Sequence, residues 1–158
     1  MTTEKIREFT VRVTNANKTE MIVVLYDMGI QYIEDAVEAL RVANLALFRT
    51  EIGRTRNVLR ELMASVDTSQ SLGMNILRLY IYSSGELTRG YLDYSAESLN
   101  HVKKIFSQLR SAYAEQSPKD TSGPVMQNAE KIYNGFTYNK NSMAENLADT
   151  KLNRGILA

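Results

Sequence analysis

The strongest constraint on the fold is the stretch from Thr19 to about Ala43, whose polar residues gather on one side when it is wound as a helix. At about 100° per residue, Asp27, Gln31, Glu34, Asp35, Glu38 and Arg41 share a narrow sector. The remaining arc, roughly 240° wide, is apolar and runs from Val24 and Met28 through Leu25, Ile22 and Ile33 to Tyr26, Ile30 and Val23. A helix inside a four-helix bundle has to bury only roughly 140°. The surplus is either covered by the N-terminal arm, which offers Phe9, Val11 and Val13, or left as a groove for a partner helix. Both hold if the arm gives way to the partner.

Three more helices follow the first. Asn17, with Glu20 three residues on, forms a capping-box signature for the first long helix. A second pattern spans about Leu45 to Val66, with Leu45, Phe48, Ile52, Leu59, Leu62, Met63 and Val66 on one side and Arg49, Arg56 and Arg60 opposite. The polar run Asp67 to Ser71 breaks it, and a third helix is predicted over about Leu72 to Tyr94. Ser95 can cap a fourth, to about Ala114, with Leu99, Val102, Ile105, Phe106, Leu109, Ala112 and Tyr113 inward. Short connections favour antiparallel neighbours, so the fold class predicted is all-α, an antiparallel up-down four-helix bundle with an N-terminal arm and a C-terminal extension.

The predicted organisation is an arm over residues 1–16, the bundle over 17–116, and a flexible linker and extension over 117–158. Both prolines of the chain, Pro118 and Pro124, lie in the linker. Beyond it, Val125, Met126, Ala129, Ile132 and Tyr133 suit a short helix closed by Gly135, whereas Asn139 to Ala158 is thinly apolar.

Composition restricts the chemistry. With 158 residues the chain suits one core rather than two, and with no Cys it has neither disulfides nor thiolate metal sites. Met1 to Arg12 holds no apolar run, so neither signal peptide nor membrane insertion is expected. His101 is the only histidine, which rules out the dimetal centre of ferritin-like bundles and leaves a surface role as the simplest reading of that residue. No phosphate-binding glycine loop and no His-Glu-x-x-His run is present. The acidic group Asp27, Glu34, Asp35 and Glu38 reads as a solvated face. We therefore expect no enzyme activity, cofactor or metal. Nucleic acid would have to be met by Arg49, Arg54, Arg56 and Arg60, but Arg54 points away, Glu51 and Glu61 dilute the patch, and the net charge is only +1.

On the third helix, Tyr82 shares the solvent sector of Asn75, Arg78, Glu86 and Arg89, either stacked on an arginine or free for contact. Gly73, Ser83, Ser84, Gly85 and Gly90 allow close backbone approach, to the first long helix or to a ligand helix. Met21 and Met28 suit an adaptable surface, and equally a core.

The order of segments carries a family resemblance. Asn15-Ala16-Asn17-Lys18-Thr19-Glu20-Met21 followed by Leu25-Tyr26-Asp27 resembles the opening of the flagellar export chaperone family (FliS). Arg56 to Asp67 is similar to that family's second helix, Leu77-Arg78-Leu79-Tyr80-Ile81-Tyr82 to a stretch of its third, and Leu109-Arg110-Ser111-Ala112-Tyr113 to its last-helix ending. The tail segments Ile132 to Tyr138 and Asn153-Arg154-Gly155 resemble extensions on clostridial-type members. The resemblance implies a cytoplasmic chaperone. It would bind the disordered C-terminal segment of flagellin, prevent premature polymerisation and present the subunit to an export gate component of the type III apparatus, as a monomer or homodimer. By matching positions it implies partner contacts at Phe9, Val13, Val24, Met28, Tyr32, Leu79 and Tyr82. The rivals are a helical regulatory adaptor for another protein helix and a nucleic-acid binder using the arginines.

Overall fold

A computed structural model describes residues 1–125 of the chain; the predicted helix and tail beyond Val125 lie outside them. The described residues are all helical: α1 (Thr3–Asn15), α2 (Lys18–Arg41), α3 (Leu45–Ser65), α4 (Ser71–Asp93), α5 (Ala96–Gln116) and a 3-10 turn, Ser117–Lys119. The capping residues read from the sequence do their work. Asn17 Oδ1 accepts the Glu20 amide at 2.8 Å and Ser95 Oγ the Ser98 amide at 3.3 Å. Asn44 starts α3 in the same way, accepting from Leu47 at 3.1 Å.

Consecutive helices pack side by side. α2 lies against α3 and α5, and α4 against the same two. Between them Tyr26, Ile33, Phe48, Ile52, Leu62, Tyr80, Leu87, Leu99, Val102 and Phe106 form a continuous apolar core. α2 and α4 meet across its middle, where the buried hydroxyls of Tyr26 and Tyr80 are hydrogen-bonded to each other. Tyr26 also packs edge-on against Phe106, with ring centroids 5.6 Å apart.

Of the small residues of α4, Gly73 and Gly90 serve close packing against neighbours other than α2, whereas Ser84 and Gly85 are exposed and Gly85 has nothing within 4 Å of where a Cβ would be. A Cβ on Gly73 would fall 1.7 Å from the Asp67 carbonyl oxygen, and one on Gly90 2.7 Å from Leu99 Cδ2. The close approach is thus to the turn before α4 and to α5.

The structure corrects the sequence reading at three places. The N-terminal arm is itself a helix, α1, packed on α2. Residues 117–125, expected as a flexible linker, fold back as a strap over the junction of α1 and α2. There Asn17 Nδ2 donates to the Asp120 carbonyl at 3.2 Å, Asp120 Oδ2 accepts from the Thr19 amide at 3.0 Å, and the Val125 amide donates to Ala16 O at 3.0 Å. Glu86, placed on the solvent face of α4 by its angle, is buried: Arg89 reaches one carboxylate oxygen and His101 Nδ1 the other, each at 2.8 Å. His101 itself is exposed, as expected.

Candidate partner-binding surface

Part of the sector of α2 that the sequence assigned to water is covered by α1, while Glu34, Glu38 and Arg41 of that sector stay exposed. Met1 and its ammonium meet Asp35, Lys5 reaches Gln31, and Arg12 meets Asp27. Numbers rise along α1 as they fall along α2, so the two helices run antiparallel. The ammonium lies 2.6 Å from Asp35 Oδ2, and Arg12 Nη1 lies 2.8 Å from Asp27 Oδ2. Arg110 of α5 holds the other oxygen of Asp27 at 2.9 Å, and Lys103 of the same helix pairs with Glu34. Asp27, Asp35 and the exposed Glu34 therefore form ion pairs with groups outside α2, whereas Glu38 pairs only with Arg41 of α2 itself and stays solvated as the sequence suggests. Local periodicity could not reveal this, because the partners come from elements distant in sequence.

Val24 lies in that same sector and is fully buried, and Phe9 and Val23 are nearly so; none of the three belongs to the main core. No large apolar side chain of α2 is exposed, so the wide arc read from the sequence is closed within the chain. Its cover is thin. α1 has 13 residues, a length that is marginal for a helix on its own. Phe9 is its one buried side chain, worth about 1.5–3 kcal/mol, while Ile6 and Val11 point outward. The ion pairs add about 0–1 kcal/mol each at partly exposed sites.

The residues expected to contact a partner fall into two groups. Phe9, Val13, Val24 and Met28 belong to α1 and the sector of α2 around it. Phe9 and Val24 are buried, and Val13 and Met28 half-buried. Tyr32 is half-buried under Arg54, whose guanidinium lies 5.7 Å from its ring centroid. Burial raises its pKa. Leu79 and Tyr82 stand exposed on α4 and are not brought together with the first group.

α4 also carries apolar surface that the sequence reading passed over. Met74, Ile81 and Leu92 are exposed and fall in one line along its outer side, a pattern visible as spacings of seven and eleven residues.

The arginine patch is partly engaged within the chain. Arg49 donates to the Tyr94 hydroxyl at 3.4 Å, Arg54 pairs with Glu51 at 2.7 Å, and Arg56 lies 5.2 Å from the Tyr91 ring centroid. Only Arg60 of the four carries no such contact among the described residues. No helix of the described residues is long and apolar enough to cross a membrane.

The family described as flagellar protein FliS matches residues 4–120, from the first turn of α1 to the strap residue Asp120. No curated protein matches the chain. Since the match covers α1 through α5 and most of the sequence, the chain belongs to FliS, a family of flagellar export chaperones.

Proposed function

We propose that this chain acts in the cytoplasm as an export chaperone for flagellin, binding the disordered C-terminal segment of the subunit, preventing premature polymerisation and delivering it to the flagellar type III export apparatus. In this reading α2 to α5 form an antiparallel up-down four-helix bundle. The client's amphipathic segment takes the place of α1.

The observation that carries the reading is the thin hold of α1 on α2. A segment that folds on binding loses several kcal/mol to ordering, about 2–5, and needs a long apolar track in return. Buried Val24 with half-buried Met28 and Tyr32, all on α2, supplies one part of such a track once α1 is displaced. Exposed Leu79 and Tyr82 on α4 supply another for a client long enough to wrap around. Phe9 and Val13 hold the first part closed until the client arrives. Such a lid lowers the apparent affinity by the fraction of time it is shut, and it keeps apolar surface covered in the empty chaperone.

Calorimetric titration of the full chain with a flagellin C-terminal segment tests this. The expected result is 1:1 binding with a negative heat-capacity change. Absence of heat at micromolar concentrations overturns the reading. Should another protein's helix then be captured from the cytosol, an adaptor role takes its place.

A further inference from the structure

The acidic strip beneath α1 holds charge that its neighbours do not fully satisfy. Asp35 Oδ2 and Glu51 Oε2 are buried side-chain oxygens without a directed hydrogen bond among the described residues. Asp35 Oδ2 has only the ion-pair contact with the Met1 ammonium, and Glu51 has Arg54 on its other oxygen. Burial raises the pKa of Glu51 on α3, with Arg54 and that ammonium acting against the rise and Asp35 adding to it. Two turns away, Asp27 takes Arg12 from above and Arg110 from the side. The two ion pairs that reach the strip from this side come from Arg12 of α1 and from the Met1 ammonium just before it.

Replacing α1 by another helix alters this balance. Lifting α1 admits water, and the carboxylates are solvated again. A neutral apolar helix laid in the same place would exclude that water and bury Asp35 with nothing positive opposite it, leaving Glu51 only Arg54, which is strongly unfavourable. Asp27 would keep Arg110 but lose half its partners.

We infer that the strip Asp27–Asp35, with Glu51 beside it, selects the client by charge: the segment that displaces α1 is an amphipathic helix carrying Lys or Arg opposite both aspartates. They are eight positions apart on α2, about 12 Å along the axis at 1.5 Å per residue. The client's cations are accordingly spaced about seven or eight residues apart along its own helix. The inference rests on the proposed displacement of α1 and adds to it the chemistry of the displacing chain.

Variants on the two sides of one ion pair separate the possibilities. Arg12→Gln loosens the lid alone and should strengthen binding of a flagellin C-terminal segment severalfold. Asp27→Asn and Asp35→Asn loosen the lid too, but they remove the client's partner; they should weaken binding about tenfold, or 1.4 kcal/mol. That loss should vanish against a segment whose matching Lys or Arg has been changed to Gln. If both aspartate variants strengthen binding as Arg12→Gln does, the strip serves only the lid and the inference fails. A second arm needs no flagellin. Two synthetic amphipathic helices share the Ile6, Phe9 and Val13 spacing, one with Arg seven residues apart facing the strip and one with Gln there. The basic helix should bind the full chain at least about tenfold more tightly at low salt and lose that advantage as salt rises. Equal binding overturns the inference whatever flagellin does, whereas failure of flagellin alone with discrimination retained overturns only its identity as the client.

Discussion

Asp120 helps to cap α2 through Thr19, 101 positions before it. Its Oδ2 accepts the Thr19 amide at 3.0 Å and the Thr19 hydroxyl at 2.7 Å, while Oδ1 accepts from Ser122. The free amides of a helix N-terminus favour a negative acceptor, and Asn17 serves only one of them. The strap is thereby tied to the place where α1 turns into α2.

The hydrogen bonds from Ser122 and Thr19 hold the Asp120 carboxyl well below the ordinary carboxylate range. Through acid pH the folded chain therefore binds fewer protons than the unfolded one. Stability from this group is complete above the unfolded pKa, about 3.9, and is lost as pH falls through the lower folded value. Asp120→Ala should lower the melting temperature at pH 7 by a few degrees, and the difference from wild type should shrink only below about pH 4. Thermal melts across pH 2 to 7 check this. A constant difference down to pH 2 would assign the effect to something other than the carboxylate.

The Tyr26–Tyr80 pair calls for a double-mutant cycle. Both hydroxyls are buried and satisfy each other, and burial raises the pKa of each, that of Tyr80 to about 12. Changing one to Phe strands its partner in the core, at a cost of about 1–3 kcal/mol. Tyr26→Phe with Tyr80→Phe removes both polar atoms together. Denaturant unfolding should show the double variant closer to wild type than the sum of the singles predicts; strict additivity would mean that the hydroxyls do not act as a pair.

Helix positions and core were legible because their causes are local. Asn17 and Ser95 announce helix starts, and Phe48, Ile52, Phe106 and Val102 show their burial through spacing alone. What escaped depends on partners remote in sequence. The angle of Glu86 on α4 points toward water, yet His101 of α5 reaches across to it. Asp27 and Asp35 read as surface because Arg12, Arg110 and the Met1 ammonium are not their helix neighbours. α1 did leave a signal: Thr2 as cap, Glu4 in the first turn, and Ile6, Phe9 and Val13 at helical spacing. The alternation of Phe9, Val11 and Val13 obscured it, and Val11 in fact faces outward.

Glu51 should behave opposite to Asp120. Burial raises its pKa, an effect that Arg54 and the Met1 ammonium reduce and Asp35 augments. With the folded pKa above the unfolded one, the folded chain binds more protons in that window, so stability falls as pH rises through it and stays reduced above. Glu51→Gln keeps the shape and removes the charge. It should raise the melting temperature at pH 7, with the gain fading as pH drops toward the ordinary range of Glu, about 4.3. A variant less stable than wild type at pH 7 would show that the ion pair with Arg54 outweighs the burial of the charge.

Phe9→Ala separates lid from core. In a core, Phe→Ala costs about 3–5 kcal/mol, but in the proposed reading Phe9 anchors a helix that undocks while the rest stays folded. The loss in global stability is therefore capped at the free energy of α1 docking, which one aromatic and a few partly exposed ion pairs keep small. The expected outcome is a melting temperature within about 3 °C of wild type, with α1 amides exchanging at least about tenfold faster while those of α3 and α5 are unchanged. Since an open lid no longer competes, flagellin segment affinity should rise severalfold in calorimetry even though an apolar side chain has been removed. If exchange accelerates throughout the chain and α1 shows no selective opening, Phe9 is part of the cooperative core and α1 is no lid.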